Sequence, residues 1–370
     1  MADRRAPLRA GEAAKMSHVQ ALRAYAATAV VLYHLSVRSS SVLGRSLWPR
    51  ELGWGASGVD TFFVLSGFII LTVHRRDISR RSRLKPYVTK RAIRIYPIYW
   101  LITLIALPVY FGGYGSDTKR TADVIFRSIT LIPQHPGTFP IVNVAWTLSF
   151  EIFFYLVFGL VIAVPLRWGI VAVMAWLVPC FIVFVLGVSG AWHPSRGLMW
   201  IFLFSPRNLE FALGGLVAVV GPLITLPRPR LWLLGALAAI VSVAALGVHP
   251  NSVAYPTVSL TALPSAIMLL AASQLDHEGE LAPRFLEALG DASYSLYLVH
   301  FGVLTGVFIA LNHLHVVNGV TWPACLVLAF LTAVGVALVS YRFVERPVLR
   351  RARGRLVREP APTLSAGGTI

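Results

Sequence analysis

Apolar residues in this chain gather into long runs divided by short polar turns. Ten runs are long enough to cross a bilayer as helices, near residues 17–37, 57–74, 95–112, 141–164, 169–189, 199–224, 231–248, 256–274, 293–312 and 322–342. The connections are short, so the pattern predicts one all-α integral membrane protein, a bundle of about ten transmembrane helices. The stretch from Arg75 to Arg94 is densely basic against one acid, Asp77, and loops of that kind stay in the cytoplasm. Counting onward places Arg167, the Arg228–Arg230 turn and the tail from Arg342 to Arg358 on the same side, with both termini cytoplasmic. The loops at 113–140, 190–198, 249–255 and 313–321 then fall outside. The first outer loop, with Arg38, Arg45 and Arg50, runs against the rule.

Three segments follow: a basic N-terminal leader at 1–15, a membrane domain at 16–349 and a disordered basic tail at 350–370. The leader has no apolar core and no cleavage pattern follows it, so it is not a signal peptide. No internal repeat suggests a transporter built from two halves. Composition agrees with the patterning. Of 370 residues, 56% are hydrophobic and only 13% charged, with a mean hydropathy of +0.69. A soluble domain carries about twice that charge fraction. The net charge of +17 flanks membrane segments, so it reflects topology and not nucleic-acid binding. Cys180 and Cys325 lie inside apolar runs and suggest neither a disulfide framework nor a metal site.

The chemistry lies in polar residues placed where only apolar ones are cheap. His34 follows Arg23 by eleven residues, three helical turns plus roughly 20°, so both share one face with a rise of about 16 Å between them. Asp60 opens the second run, and Glu151 lies within the fourth. Arg207, Asn208 and Glu210 fall in the sixth, His300 in the ninth, and Glu345 and Arg346 close the tenth. Each must face the bundle interior or a wet cavity. Plainer roles stand beside these. Arg207 and Glu210 form an i, i+3 pair able to neutralise itself. Asp60 suits a helix N-terminus, His300 an interhelical contact, and Glu345 a helix end. His34 and Glu151 have no charge partner nearby in sequence. A buried imidazole beside a carboxylate can serve as a general base. Glu151 is the candidate partner and Asp60 its competitor. Arg91 and Arg94 put two guanidinium groups on one face at the start of the third helix, where Arg23 can join them. Such a cluster attracts phosphate, which suits either a donor with a phosphate end and a long arm or a lipid-phosphate substrate.

These residues stand in recognisable strings: Leu22-Arg23-Ala-Tyr-Ala-Ala to His34; Gly58-Val-Asp60-Thr-Phe-Phe-Val-Leu-Ser-Gly67; Arg91-Ala-Ile-Arg94-Ile-Tyr-Pro97-Ile-Tyr-Trp100; Trp146-Thr-Leu-Ser-Phe-Glu151; Leu209-Glu210-Phe-Ala-Leu-Gly-Gly215; and Ser293-Tyr-Ser-Leu-Tyr-Leu-Val-His300. In that order they resemble the membrane-bound acyltransferase-3 family of exopolysaccharide- and O-antigen-acetylating proteins. The resemblance covers nearly the whole membrane domain. It implies an O-acyltransferase that moves an acyl group, usually acetyl from acetyl-CoA, to a carbohydrate hydroxyl. The acceptor is then an exopolysaccharide or its lipid-linked precursor, the setting is the inner membrane and its lipids, no metal takes part, and self-association stays open. His34 maps to the family's histidine, with Glu151 and Asp60 beside it as catalytic candidates. Arg23, Arg91 and Arg94 fall to the coenzyme A phosphates, and Trp146, Tyr155, Arg207, Glu210 and His300 to support. The family's acidic pair is reduced here, since Ile152 follows Glu151. Some members also carry a C-terminal esterase-like domain that does not follow here. Two other readings stand: a flippase for a lipid-linked sugar, with His34 and Glu151 as a proton relay, and a macrolide or small-molecule acyltransferase. Trp48, Trp54, Trp192 and Trp322 near the outer ends suit either sugar stacking or interfacial anchoring.

Overall fold

The computed structural model describes residues 16–45, 52–113, 117–189, 202–245 and 255–356, and every α, 3-10 or π element among them is helical. Each predicted run contains a helix: α1 (Ser17–Leu43), α2 (Ser57–His74), α3 (Leu84–Phe111), α5 (Trp146–Ala163), α6 (Leu166–Val188), α7 (Arg207–Val220), α8 (Pro229–Ala245), α9 (Tyr255–His277), α11 (Ser293–His313) and α12 (Trp322–Ser340). Short helices α4 (Ala122–Thr130) and α10 (Arg284–Asp291) lie between them, and α13 (Arg346–Leu356) follows. Six segments, those carrying α2, α3, α5, α6, α11 and α12, are long and apolar enough to cross a membrane, and the chain is a multi-pass membrane protein. In contrast, α7 and α8 have only 14 and 17 residues. Polar Arg23, His34 and Arg38 interrupt the 27 residues of α1, yet that helix packs against α2, α9, α10 and α11 at the centre of the bundle.

Two boundaries differ from the sequence reading. The basic segment becomes helical at Leu84, with Pro86 in the first turn, where a missing N–H costs nothing. Arg91 and Arg94 therefore lie two to three turns inside α3 rather than at its start. The tail is helical through Leu356, so the disorder expected from 350 does not hold for 350–356. A π turn at Tyr341–Glu345 joins α12 to α13, with Pro347 near the first position of the new helix. The expected leader at 1–15, the rest of the tail, Trp48 and Trp192 lie outside the described residues. The predicted outer loop at 113–140 contains α4, whose N-terminus is capped by Thr121 and whose Phe126 and Ile129 face outward.

The crossing of α2 and α7 depends on two glycines. A Cβ on Gly214 would lie 1.8 Å from the Val64 carbonyl oxygen, and one on Gly67 2.0 Å from that of Phe211. Small residues let membrane helices approach backbone to backbone. Gly214→Ala should therefore cost about 1–3 kcal/mol or more through overpacking. Gly215→Ala should cost little, because its Cβ would meet Leu71 at an ordinary 3.7 Å. Buried Cys180 and Cys325 can report both outcomes through the temperature at which a thiol-reactive dye gains access. Equal transitions for the two variants would refute the packing argument.

Candidate active site

A cavity of about 660 Å³ opens between α1, α2, α3, α5 and α11. One end is basic, with Arg23 on α1 and Lys90, Arg91 and Arg94 on α3. The wall then passes Tyr294 and Glu151 to Thr147 and Tyr297. Arg23 donates to Gln20 at 3.1 Å, one turn earlier on the same helix. A guanidinium N–H of Arg91 donates to Nε2 of His74 at 2.7 Å, while His74 Nδ1 meets Asp77 at 2.8 Å. The tautomer follows: Nδ1 carries the proton toward the carboxylate, and Nε2 accepts. Arg91 also lies over the Tyr155 ring at 5.4 Å, and its buried Nε has no partner among the described residues. Arg94 is held differently. It donates to Glu345 at 2.7 Å, and the second oxygen of that fully buried carboxylate accepts from Ser295 at 2.7 Å. The π turn thus brings Glu345 under Arg94.

Glu151 belongs to this end of the site. It accepts from the Tyr155 hydroxyl on the next turn of α5. The structure does not bring it to His34, nor does it bring Asp60 there, so neither carboxylate is the direct partner of that imidazole. A second histidine takes the place. His300 Nε2 lies 3.1 Å from His34 Nδ1. His300 Nδ1 faces the Leu296 carbonyl at 3.0 Å, and His34 Nδ1 also faces the Val30 carbonyl at 3.0 Å. A carbonyl only accepts, so with both rings neutral His300 carries its proton on Nδ1 and offers a bare Nε2. His34 Nδ1 then faces two acceptors and must hold a proton. The lone pair of His34 is left on Nε2, which makes no hydrogen bond among the described residues. Backbone and His300 together fix the tautomer that a general base requires. His34 does not itself line the cavity. Tyr297 connects the two: it lines the cavity, its ring is 5.9 Å from His300, and its hydroxyl is held by Thr147 at 2.8 Å and the Val144 carbonyl at 3.0 Å.

Asp60 serves elsewhere. Arg207 donates to one of its oxygens at 2.8 Å and Thr261 to the other at 2.6 Å. The expected neutralisation of Arg207 by Glu210 is thereby replaced by a pair across α2 and α7, because the Arg207 side chain reaches over to the neighbouring helix. Buried Glu210 lies beside Asp60, and neither of its oxygens meets a hydrogen-bond donor among the described residues. Trp146 packs over the Arg207 guanidinium at 5.4 Å. Of the outer tryptophans, Trp322 donates to Ser39 and Trp54 stacks on Tyr25, so both are engaged within the bundle.

Polar side chains thus line the cavity from the arginines to Tyr297, whose ring packs against His300 of the histidine pair. The sequence profile of a family described as an acyltransferase domain matches residues 17–342. The chain belongs to the acyltransferase-3 family. It is 31% identical over 318 residues to exopolysaccharide production protein ExoZ of Rhizobium meliloti (strain 1021), covering 82% of this chain and 92% of the relative. Acyltransferase MdmB of Streptomyces mycarofaciens is 28% identical, with 78% and 79% covered. O-acetyltransferase OatA of Staphylococcus aureus (strain NCTC 8325 / PS 47) is 25% identical, with 89% and 56% covered. No solved structure matches the chain.

Sequence reasoning about this acyltransferase missed His74 and the use made of Glu345. His74 stands beside the run of arginines and reads as part of a topology signal. Glu345 reads as a helix end, and the π turn that rotates it inward leaves no mark in the hydrophobic pattern. His300 stood in the Ser293 to His300 string, and the shared helix period of Tyr297 and His300 was the available signal that both face one wall.

Proposed function

We propose that this acyltransferase moves acetyl from cytoplasmic acetyl-CoA to a hydroxyl of an exopolysaccharide, or of its lipid-linked precursor, in the cell inner membrane. The observation that carries the proposal is a cavity with a basic end, whose wall residue Tyr297 packs against a histidine pair that presets the base nitrogen of His34. Arg91, Lys90 and Arg23 suit the phosphates of coenzyme A. The rise of about 16 Å from Arg23 to His34 suits an extended arm bearing the thioester. The names of ExoZ and OatA support a polymer as acceptor and acetyl as the group.

In the step this geometry favours, Nε2 of His34 takes the proton of the acceptor hydroxyl. The oxygen attacks the thioester carbonyl, the C–S bond breaks, and the leaving thiolate recovers the proton from the imidazolium. The products are an acetyl ester and free coenzyme A. Tyr155 holds Glu151 beside the arginines, where its carboxylate moderates their mutual repulsion.

The test supplies purified enzyme in liposomes with acetyl-CoA labelled in the acetyl group and surface polysaccharide from cells lacking the gene. Base-labile label should appear in the polymer only when enzyme and acetyl-CoA are both present. Polymer that stays unlabelled, or sugar translocated without acetyl-CoA, would overturn the proposal. In the same assay Arg91→Gln should raise the donor KM by about tenfold to a hundredfold. Arg91 is the cleaner choice because removing Arg94 would also strand Glu345. An unchanged donor KM would remove Arg91 from the donor site.

A further inference from the structure

Beyond His34 on α1 lies a second group of cations. Arg38 is one helical turn beyond His34 on α1. Its Nε donates to Thr305 on α11 at 2.9 Å, and its guanidinium lies 5.1 Å from the centre of the Phe301 ring. Lys119, in the segment before α4, is only 8% exposed. Its ammonium donates to the Tyr110 hydroxyl at 3.0 Å, to the Asn143 side-chain oxygen and, more weakly, to the Ile141 carbonyl at 3.4 Å. Every one of these acceptors is neutral. The acids nearest in sequence are already committed, Asp117 to Arg120 at 3.1 Å and Asp123 to Arg127 at 2.8 Å. Burial, and then the charge of Arg38, push the Lys119 ammonium down to about 8. Arg38, one turn from His34, and Lys119 thus act on each other as like charges, and neither has an ion-pair partner among the described residues. Burying a charge is costly without an opposite charge to offset it.

We propose that Arg38 and Lys119 bind an anionic group of the acceptor, a carboxylate or a phosphate, and so hold the hydroxyl at His34. This rests on the acyltransferase reading above and adds the acceptor's charge to it. Arg38 is displaced from His34 by a rise of about 6 Å. The anion therefore lies within about one sugar unit of the acetylated hydroxyl. A carboxylate on the polymer and the diphosphate of a lipid carrier both meet that requirement.

The test compares acetyl transfer to an oligosaccharide containing glucuronic acid, to the same oligosaccharide with its carboxyl reduced to an alcohol, and to the reduced form linked to a prenyl diphosphate. Wild-type enzyme should show an acceptor KM about tenfold or more lower for the carboxylate form, or for the diphosphate-linked form, than for the neutral one. The form that is favoured identifies the source of the anion. Arg38→Gln and Lys119→Gln should each abolish the advantage and leave the donor KM unchanged, which also establishes that the variants fold. Lys119→Arg should retain it. Equal acceptor KM values in the wild type, or an advantage that survives in both glutamine variants, would overturn the anion site while leaving the acyltransferase reading intact. Wild-type enzyme that acetylates none of the three would overturn the carbohydrate reading and this inference with it.

Discussion

His34→Ala should lower acetyl transfer by on the order of a thousandfold while leaving the thermal transition and donor binding near wild type. Removing a positioned general base costs that order of rate. The side chain is half-buried, and its hydrogen bonds are to Val30 on its own helix and to His300, so little packing is lost. The measurement is labelled-acetyl transfer alongside a donor-binding isotherm on the same preparation. Near-normal turnover would exclude His34 as the base. His300→Phe should cost less, because the Val30 carbonyl still holds the proton on Nδ1. It should also change the pH dependence of turnover, since one of the two acceptors on Nδ1 is gone.

Arg207→Met should produce the largest loss of stability. The change leaves Asp60, 2% exposed, with Thr261 as its remaining donor among the described residues and the buried Glu210 carboxyl beside it. Stranding one member of a buried ion pair costs about 3–5 kcal/mol. Asp60→Asn in the same chain should restore much of that loss, because the uncompensated charge disappears with the cation that balanced it. Thermal unfolding of the two single variants and the double variant in detergent measures the coupling. An Arg207→Met protein that melts with the wild type would show that the pair holds nothing together.

The helices were legible because an apolar run long enough to cross a bilayer has few other uses. The ends were less so. Helix α3 starts at Leu84 within the basic segment, since Lys and Arg are good helix formers and the charge pattern there reports topology instead. His34 and Arg23 were legible because a polar side chain in an apolar run stands out, and Arg91 because its spacing to Arg94 puts both on one helix face. Their partners were not. Glu151 stood out equally and lines the cavity near the arginines, whereas His34 is served by His300, 266 positions away. Nor could spacing along one helix show that Arg207 reaches across to Asp60 in preference to Glu210, because the choice depends on how closely Gly67 and Gly214 let two backbones approach.

The pairing of His34 with His300 also bears on biosynthesis. His34 lies on α1, and the second acceptor on its Nδ1 comes from α11, far along the chain. Arg94 likewise waits for Glu345, near the end of the described chain. A nascent or truncated chain can therefore hold the basic entrance without a competent reaction centre.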